Sequence, residues 1–245
     1  MSDVFDDRGV SDVVGFVLVF SLIILTVGAV YTAGFDGLTH LRQAEQSANA
    51  ERAFEVLANN VEDLVERGAP SRGTELQLSD ARLTYGETVT MNLSIDGGYY
   101  QTRLRPIVYE TGTGTRIVYT SGAVIRQQPG GSVALKDPGF VFGERTVVPY
   151  IVTRPTGRES VGGSTRVLVR TDLANRYVEA YTDGPYNATL NVTTERWRAW
   201  NGTLSESPRT NCSVEPASGD AETVSCSFDA KRVYVQVVEV DVHFI

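Results

Sequence analysis

The sequence predicts an α+β chain, a long N-terminal helix followed by an antiparallel β-sandwich. Three observations predict it. Val13 to Phe35 is a run of 23 residues without one charge. From Leu38 to Leu64 apolar residues recur at three- and four-residue steps. From Thr74 onward the pattern turns to period two, in short segments punctuated by Gly and Pro. Hydrophobic residues make up 42 % of the 245 and charged residues 21 %, so the chain can bury a sizeable core.

The uncharged run comes first. At about 1.5 Å per residue it spans roughly 34 Å as a helix, enough to cross a hydrocarbon layer. A secretory signal peptide fits poorly. Its apolar core would be too long, the flank Met1–Asp7 carries three Asp and no Lys or Arg, and the best small-x-small site is Thr32-Ala33-Gly34. The small residues Gly28, Ala29, Thr32 and Ala33 permit close approach of another helix, though any membrane helix has such a composition. Arg8 before the run and Arg42 and Arg52 after it leave the orientation unassigned.

After Gly34 and Gly37, where a bend is expected, the pattern becomes amphipathic. Leu38, Leu41, Ala44, Ala48, Phe54, Leu57, Val61 and Leu64 share a face, and Arg42, Glu45, Glu51, Glu55, Glu62 and Asp63 fill the others. The spacing predicts a helix over 38–67, ended by Gly68 and Pro70. Phe54, Leu57, Val61 and Leu64 form the stripe expected to pack on the β domain.

Strands are expected at 89–95, ending at the Gly97-Gly98 turn, and at 104–109, 116–120, 123–126, 146–153, 165–170, 176–181, 188–194, 224–228 and 232–244. In the last, Val233, Val235 and Val237 share one parity and Val238, Val240, Val242 and Phe244 the other. Such a phase slip predicts a β-bulge at Val237–Val238. Ser205–Ala221, rich in Ser, Pro, Gly and Asn, reads as a long surface loop.

Charge and chemistry exclude several classes. Lys+Arg is 22 against Asp+Glu 30, a net −8, with no basic cluster, which speaks against nucleic-acid binding. Only Lys136 and Lys231 are lysines, a balance suited to concentrated salt, although a GC-rich genome also replaces Lys by Arg. Cys212 and Cys226 lie 14 apart, with no C-x-x-C and both His (His40, His243) distant. They are either a disulfide or two buried thiols, and zinc spacings are excluded. No metal or other cofactor is implied. No H-E-x-x-H, G-x-S-x-G or Walker motif occurs, so no enzyme is expected. Trp197, Trp200, Tyr99 and Tyr100 suit either a glycan-binding surface or a half-buried core. Five N-x-S/T sequons occur, at Asn92, Asn187, Asn191, Asn201 and Asn211, and these mark glycosylation candidates on an extracellular head.

The segment Arg8-Gly9-Val10-Ser11-Asp12-Val13-Val14-Gly15-Phe16 resembles the class III leader and mature start of archaeal type IV pilins and archaellins. There a basic and a small residue precede the cut and the apolar stretch follows it. The resemblance implies a leader at 1–9, cleavage between Gly9 and Val10 by a prepilin peptidase, and Val10 as the new N-terminus. It departs at Asp12, where such pilins often carry Pro, and at Val14, where bacterial ones carry Glu. Asp12 is either an assembly charge, pairing with the Val10 amine of a neighbouring subunit, or a carboxylate in the headgroup layer. The stretches Arg105–Tyr109, Gly122–Arg126 and Val147–Tyr150 are similar to pilin-like surface proteins of haloarchaea, a family that brings no ligand. The expected layout is a leader at 1–9, a transmembrane or filament-core helix at 10–36, an amphipathic extension at 37–68 and an extracellular β-sandwich at 69–245. The expected role is a pilin-like surface subunit. It would sit in the cytoplasmic membrane as a precursor, self-associate through its N-terminal helix and depend on pilus-assembly machinery. The alternative is a membrane-anchored β domain that never polymerises.

Overall fold

The structure, a computed structural model, describes residues 8–96 and 98–245, without the side chains at 8–12, 32–37, 39 and 40. Gly97 of the expected turn lies outside this set. Helix α1 runs Arg8–Arg67. Its assignment is unbroken at Gly34 and Gly37, since a lone glycine weakens a helix by only about 1 kcal/mol. The chain divides into two compact units, which meet between Gln46 and Ser47.

After α1 come β1 (Ser71–Gln77), β2 (Ala81–Tyr85), β3 (Val89–Ile95), β4 (Gly98–Leu104), β5 (Ile107–Thr111), β6 (Arg116–Thr120), β7 (Ala123–Gln128) and β8 (Gly131–Lys136). They are followed by β9 (Arg145–Thr156), β10 (Ser160–Gly163), β11 (Arg166–Tyr181), β12 (Tyr186–Thr194), α2 (Trp197–Ser205), β13 (Asn211–Pro216), β14 (Glu222–Ala230) and β15 (Arg232–Phe244). The α+β class is therefore observed, mostly as antiparallel sheet with an apolar N-terminal helix.

Where a sandwich has two sheets, the described residues form three, ordered β1-β11-β15-β9, β10-β2-β5-β6-β7-β8 and β13-β14-β12-β3-β4. The reason lies in β5–β7, which are apolar on both faces. Ile107, Tyr109, Ile117, Tyr119 and Val124 enter one core, and Val108, Val118, Ala123 and Ile125 enter a second. A strand buried on both faces reads as a continuous apolar run. The first core is roofed by α1, whose Phe54, Leu57, Val61 and Leu64 are fully buried. The second is closed by Met91, Leu93, Leu190, Val192 and Val224 of the five-stranded sheet and by Trp200 of α2.

Strand β15 serves both cores. Val233, Val235 and Val237 face the second, and Val238, Val240, Val242 and Phe244 face the first. The expected bulge at Val237–Val238 is absent. Register there is continuous with β11 and with β9, to which β15 pairs in parallel. The phase slip records a change of core from one face of the strand to the other. The irregularity sits on β11 between Leu173 and Asn175, and it joins the two segments expected separately into one strand. Leu104–Tyr109, expected as one strand, is broken before Ile107 at Pro106, which cannot donate to a ladder. The expected loop 205–221 contains the edge strand β13, paired along β14.

Local chemistry fixes the joints. Gly68 takes φ +65° past the end of α1, and Ala69 N donates to Asp63 O at 3.2 Å. Ser121 and Gly122 both have positive φ in the two-residue β6–β7 turn. Ser121 Oγ donates to Pro149 O at 3.3 Å and accepts from Ile151 N at 3.2 Å, which ties that turn to β9. Tyr85 Oη donates to Val242 O at 3.0 Å, and burial raises its pKa above the usual tyrosine range. Glu51–Arg126 at 3.1 Å and Glu62–Lys136 at 2.7 Å link α1 to the six-stranded sheet. Such surface pairs contribute at most about 1 kcal/mol each, so apolar burial holds the helix down.

Truncating that stripe should therefore cost most. Leu57→Ala is expected to lower stability by about 2–5 kcal/mol in denaturant unfolding of the full chain in micelles. Val56→Ala, at a site 50 % exposed, should stay within about 0.5 kcal/mol.

Candidate functional site

Two surfaces stand out, one on each compact unit. The first is the apolar part of α1. Val13–Tyr31 has a mean hydropathy of 2.8 over 19 residues, and none of it is buried. Phe16 is 70 % exposed and Leu25 also 70 %. Monomers in water rarely expose apolar patches beyond a few hundred Å². The polar atoms suit an apolar surround: Thr26 Oγ1 donates to Ile23 O at 2.9 Å, so its hydroxyl is satisfied within the helix. Phe16 and Phe20 stack at 6.0 Å between ring centroids. Arg8, Gly9, Val10 and Asp12 have helical backbone, and their side chains lie outside the described residues, as do residues 1–7 of the leader expected at 1–9. The Asp12 pairing is thus untouched by the geometry.

The second surface is the outer face of the five-stranded sheet. Four of the five sequon asparagines, Asn92, Asn187, Asn191 and Asn211, lie on it, opposite the buried parity of β3 and β12. Ser213, Ser225, Asn191, Asn92 and Gln101 form one cross-strand row. Asn187 and Asn211 are exposed. Asn187 Nδ2 donates to Asp229 Oδ1 at 3.1 Å. Asn92 and Asn191 are only partly exposed and face each other directly, each with its Oδ1 buried and without a protein partner. Asn201 is set apart on α2, where its Oδ1 accepts from Ser205 Oγ at 3.3 Å.

On the edge of this sheet Cys212 and Cys226 sit opposite each other on β13 and β14 and form a disulfide. Among the described residues no group of His, Cys, Asp and Glu is arranged to hold a metal ion. His243 lies 3.4 Å from Asp172. Burial pushes the Asp172 carboxyl up, but hydrogen bonds from Ser71 and Arg170 and the charges of Arg170 and His243 outweigh it and hold the pKa below the usual value. Ser71 and His243 each meet Asp172 separately.

One feature escapes sequence reasoning. Arg196, between β12 and α2, is 2 % exposed and pairs with Glu195 at 2.6 Å, while its Nε and Nη1 have no protein partner. Burial lowers its pKa, and the Glu195 carboxylate opposes that shift. Nothing in the string Glu195-Arg196-Trp197-Arg198 marks one arginine as interior. Trp200 is buried, and Trp197 is partly exposed with Arg198 stacked 4.5 Å from its ring centroid.

Opening the disulfide should loosen the edge of the sheet. The double variant Cys212→Ala, Cys226→Ala is expected to lose about 3 kcal/mol, the contribution of closing a loop of this size. Thermal unfolding beside the oxidised parent measures it, and reductant should shift the parent alone.

No curated protein and no solved structure matches the chain. The model of a family of unknown function, DUF7289, matches residues 8–243. That span takes in nearly the whole sequence, helix and sheets together, and the chain belongs to this family.

Proposed function

We propose that this chain is a type IV pilin-like surface subunit. It is made as a membrane precursor and cut between Gly9 and Val10 by a prepilin peptidase. It then assembles through its N-terminal helix with the help of pilus-assembly machinery. Residues 10–36 serve as membrane anchor and then as filament core, 37–68 as amphipathic extension, and 69–245 as an extracellular β-rich head. The observation that carries this reading is the wholly exposed apolar run that begins just after Arg8-Gly9 and continues as one helix. Covering one such side chain is worth about 1.5–3 kcal/mol, and either acyl chains or sister helices provide the cover. Moving between the two costs little hydrophobic free energy, so side-chain packing decides the transfer.

N-terminal sequencing of the membrane-extracted protein should begin at Val10. A chain that still begins upstream of Arg8, or that has lost the whole apolar run, overturns the proposal. Electron microscopy of cells with and without the gene then separates a filament subunit from a cleaved but non-polymerising anchor. If Asp12 pairs with the Val10 amine, Asp12→Ala should reduce assembly while leaving cleavage intact.

The sequon-rich face fits a glycosylated, outward-facing surface in this reading. Glycopeptide mapping is expected to find glycan at Asn187 and Asn211. Directly opposed residues in an antiparallel pair sit about 4.5–5.5 Å apart, leaving no room for two glycans, so Asn92 and Asn191 should never be modified on the same molecule.

A further inference from the structure

A cleft of about 610 Å³ opens at the common end of the six- and five-stranded sheets, within the size range of small-ligand sites, about 300–1,000 Å³. Turns of the two sheets and the first residues of α2 enclose it. Its lining includes Gln127, Glu195, Trp197, Arg198 and Asp220. A second cavity of about 390 Å³ shares Glu195 and Asp220 with it and is lined by Arg196.

Three features point to a ligand. Arg196 is almost wholly buried, yet two of its nitrogens lack a protein partner. Its Nη2 pairs with Glu195, but two buried donor nitrogens left unpaired are costly, so a group that accepts from them is favoured. Gln127 Oε1, on the cleft wall, is likewise buried and unpartnered. The segment that carries them is held in place: Arg196 N donates to Thr194 Oγ1 at 3.2 Å, and Ser132 Oγ donates to Arg196 O at 3.3 Å.

The lining selects the chemistry. The cleft carries donors (Arg116, Arg198) beside acceptors (Glu195, Asp220, Glu222), and the adjoining cavity adds Arg196. The carboxylates disfavour an anion and the arginines disfavour a cation. A hydroxyl both donates and accepts and so satisfies each side of such a wall. Trp197 adds a rigid aromatic ring with a polar edge; Arg198 covers one face of it at 4.5 Å, so a pyranose ring meets its uncovered part. We propose that this cleft and the adjoining cavity together bind a hydroxyl-rich, uncharged saccharide, with Trp197 touching a sugar ring beside Arg198 and with Glu195, Arg196 and Asp220 reading hydroxyls. This proposal does not depend on cleavage or polymerisation of the N-terminal helix.

Isothermal calorimetry on the full chain tests it, in a detergent without a sugar headgroup, with maltotriose, cellotriose and chitotriose as probes. Saturable binding of at least one is expected. Trp197→Ala and Asp220→Ala should each weaken it about tenfold, the loss of one good contact, while Trp197→Phe keeps most of it. Tyr99→Ala, an exposed aromatic outside the cleft, should leave affinity unchanged. Asp220 is exposed on a loop, so its variant carries the test even where Trp197→Ala fails to fold. Failure of all three sugars to bind, or binding indifferent to Asp220→Ala, overturns the proposal.

Discussion

The fold depends on one constraint: its middle layer must be apolar on both faces. β5, β6 and β7 send alternate side chains into two separate cores, and β15 sends its first half into one and its second half into the other. Neither core closes without these strands. Helix α1 has nothing to rest on unless Tyr109, Tyr119 and Val240 present an apolar floor, and the five-stranded sheet has none unless Val118, Ile125 and Val235 present the reverse side. A single polar substitution in this layer would strand a polar group in a tightly packed interior, where no water can satisfy it.

The same constraint explains what the sequence made legible. The α1 stripe and the outward face of β3 and β12 could be read because each obeys a single period, with one side in and one side out. β15 also showed its break in phase, and the break was real. Its cause is not legible in the sequence, because an alternation flips either by bulging the backbone or by changing which face meets a core, and one strand's sequence does not separate the two. The strands absent from the sequence reading are β1, β2, β4, β8, β10 and β13; all but β2, which lies between β10 and β5, sit at sheet edges. Edge strands bury less and alternate weakly; β8 buries no residue fully, and β4 only Leu104. β13 was hidden for a related reason, since its polar composition imitates a loop and its pairing depends on a partner elsewhere in the chain.

The cleft was illegible for a different reason. Its walls come from the β7–β8 turn, the β12–α2 junction and the β13–β14 loop, about a hundred residues of chain brought to one corner. No local spacing records that meeting. The buried Arg196 is also anti-correlated with expectation, because arginine is among the residues least often interior. The opposed Asn92 and Asn191 are similar: each sequon is visible alone, and their mutual exclusion exists only in the register of β3 against β12.

The helix can be followed one step further. The buried residues it gives to the head begin at Ala50 and end at Val65, and every described residue from Val13 to Tyr31 is exposed. In the proposed reading, two different solvents act on one continuous secondary structure. In the C-terminal part the backbone hydrogen bonds are protected by side chains packed on the sheets, and stability follows the usual rules for a water-facing domain. In the N-terminal part helical hydrogen bonding is the only way to satisfy the backbone wherever water is excluded. Thr26 obeys this demand by bonding to its own helix, which leaves packing as the term that distinguishes one apolar surround from another. A charge placed in Val13–Tyr31 would cost little in the head and a great deal in either surround, whereas a cavity at Leu57 would do the reverse. Stability of the head and retention of the chain in an apolar phase are thus separable properties of the same sixty-residue helix.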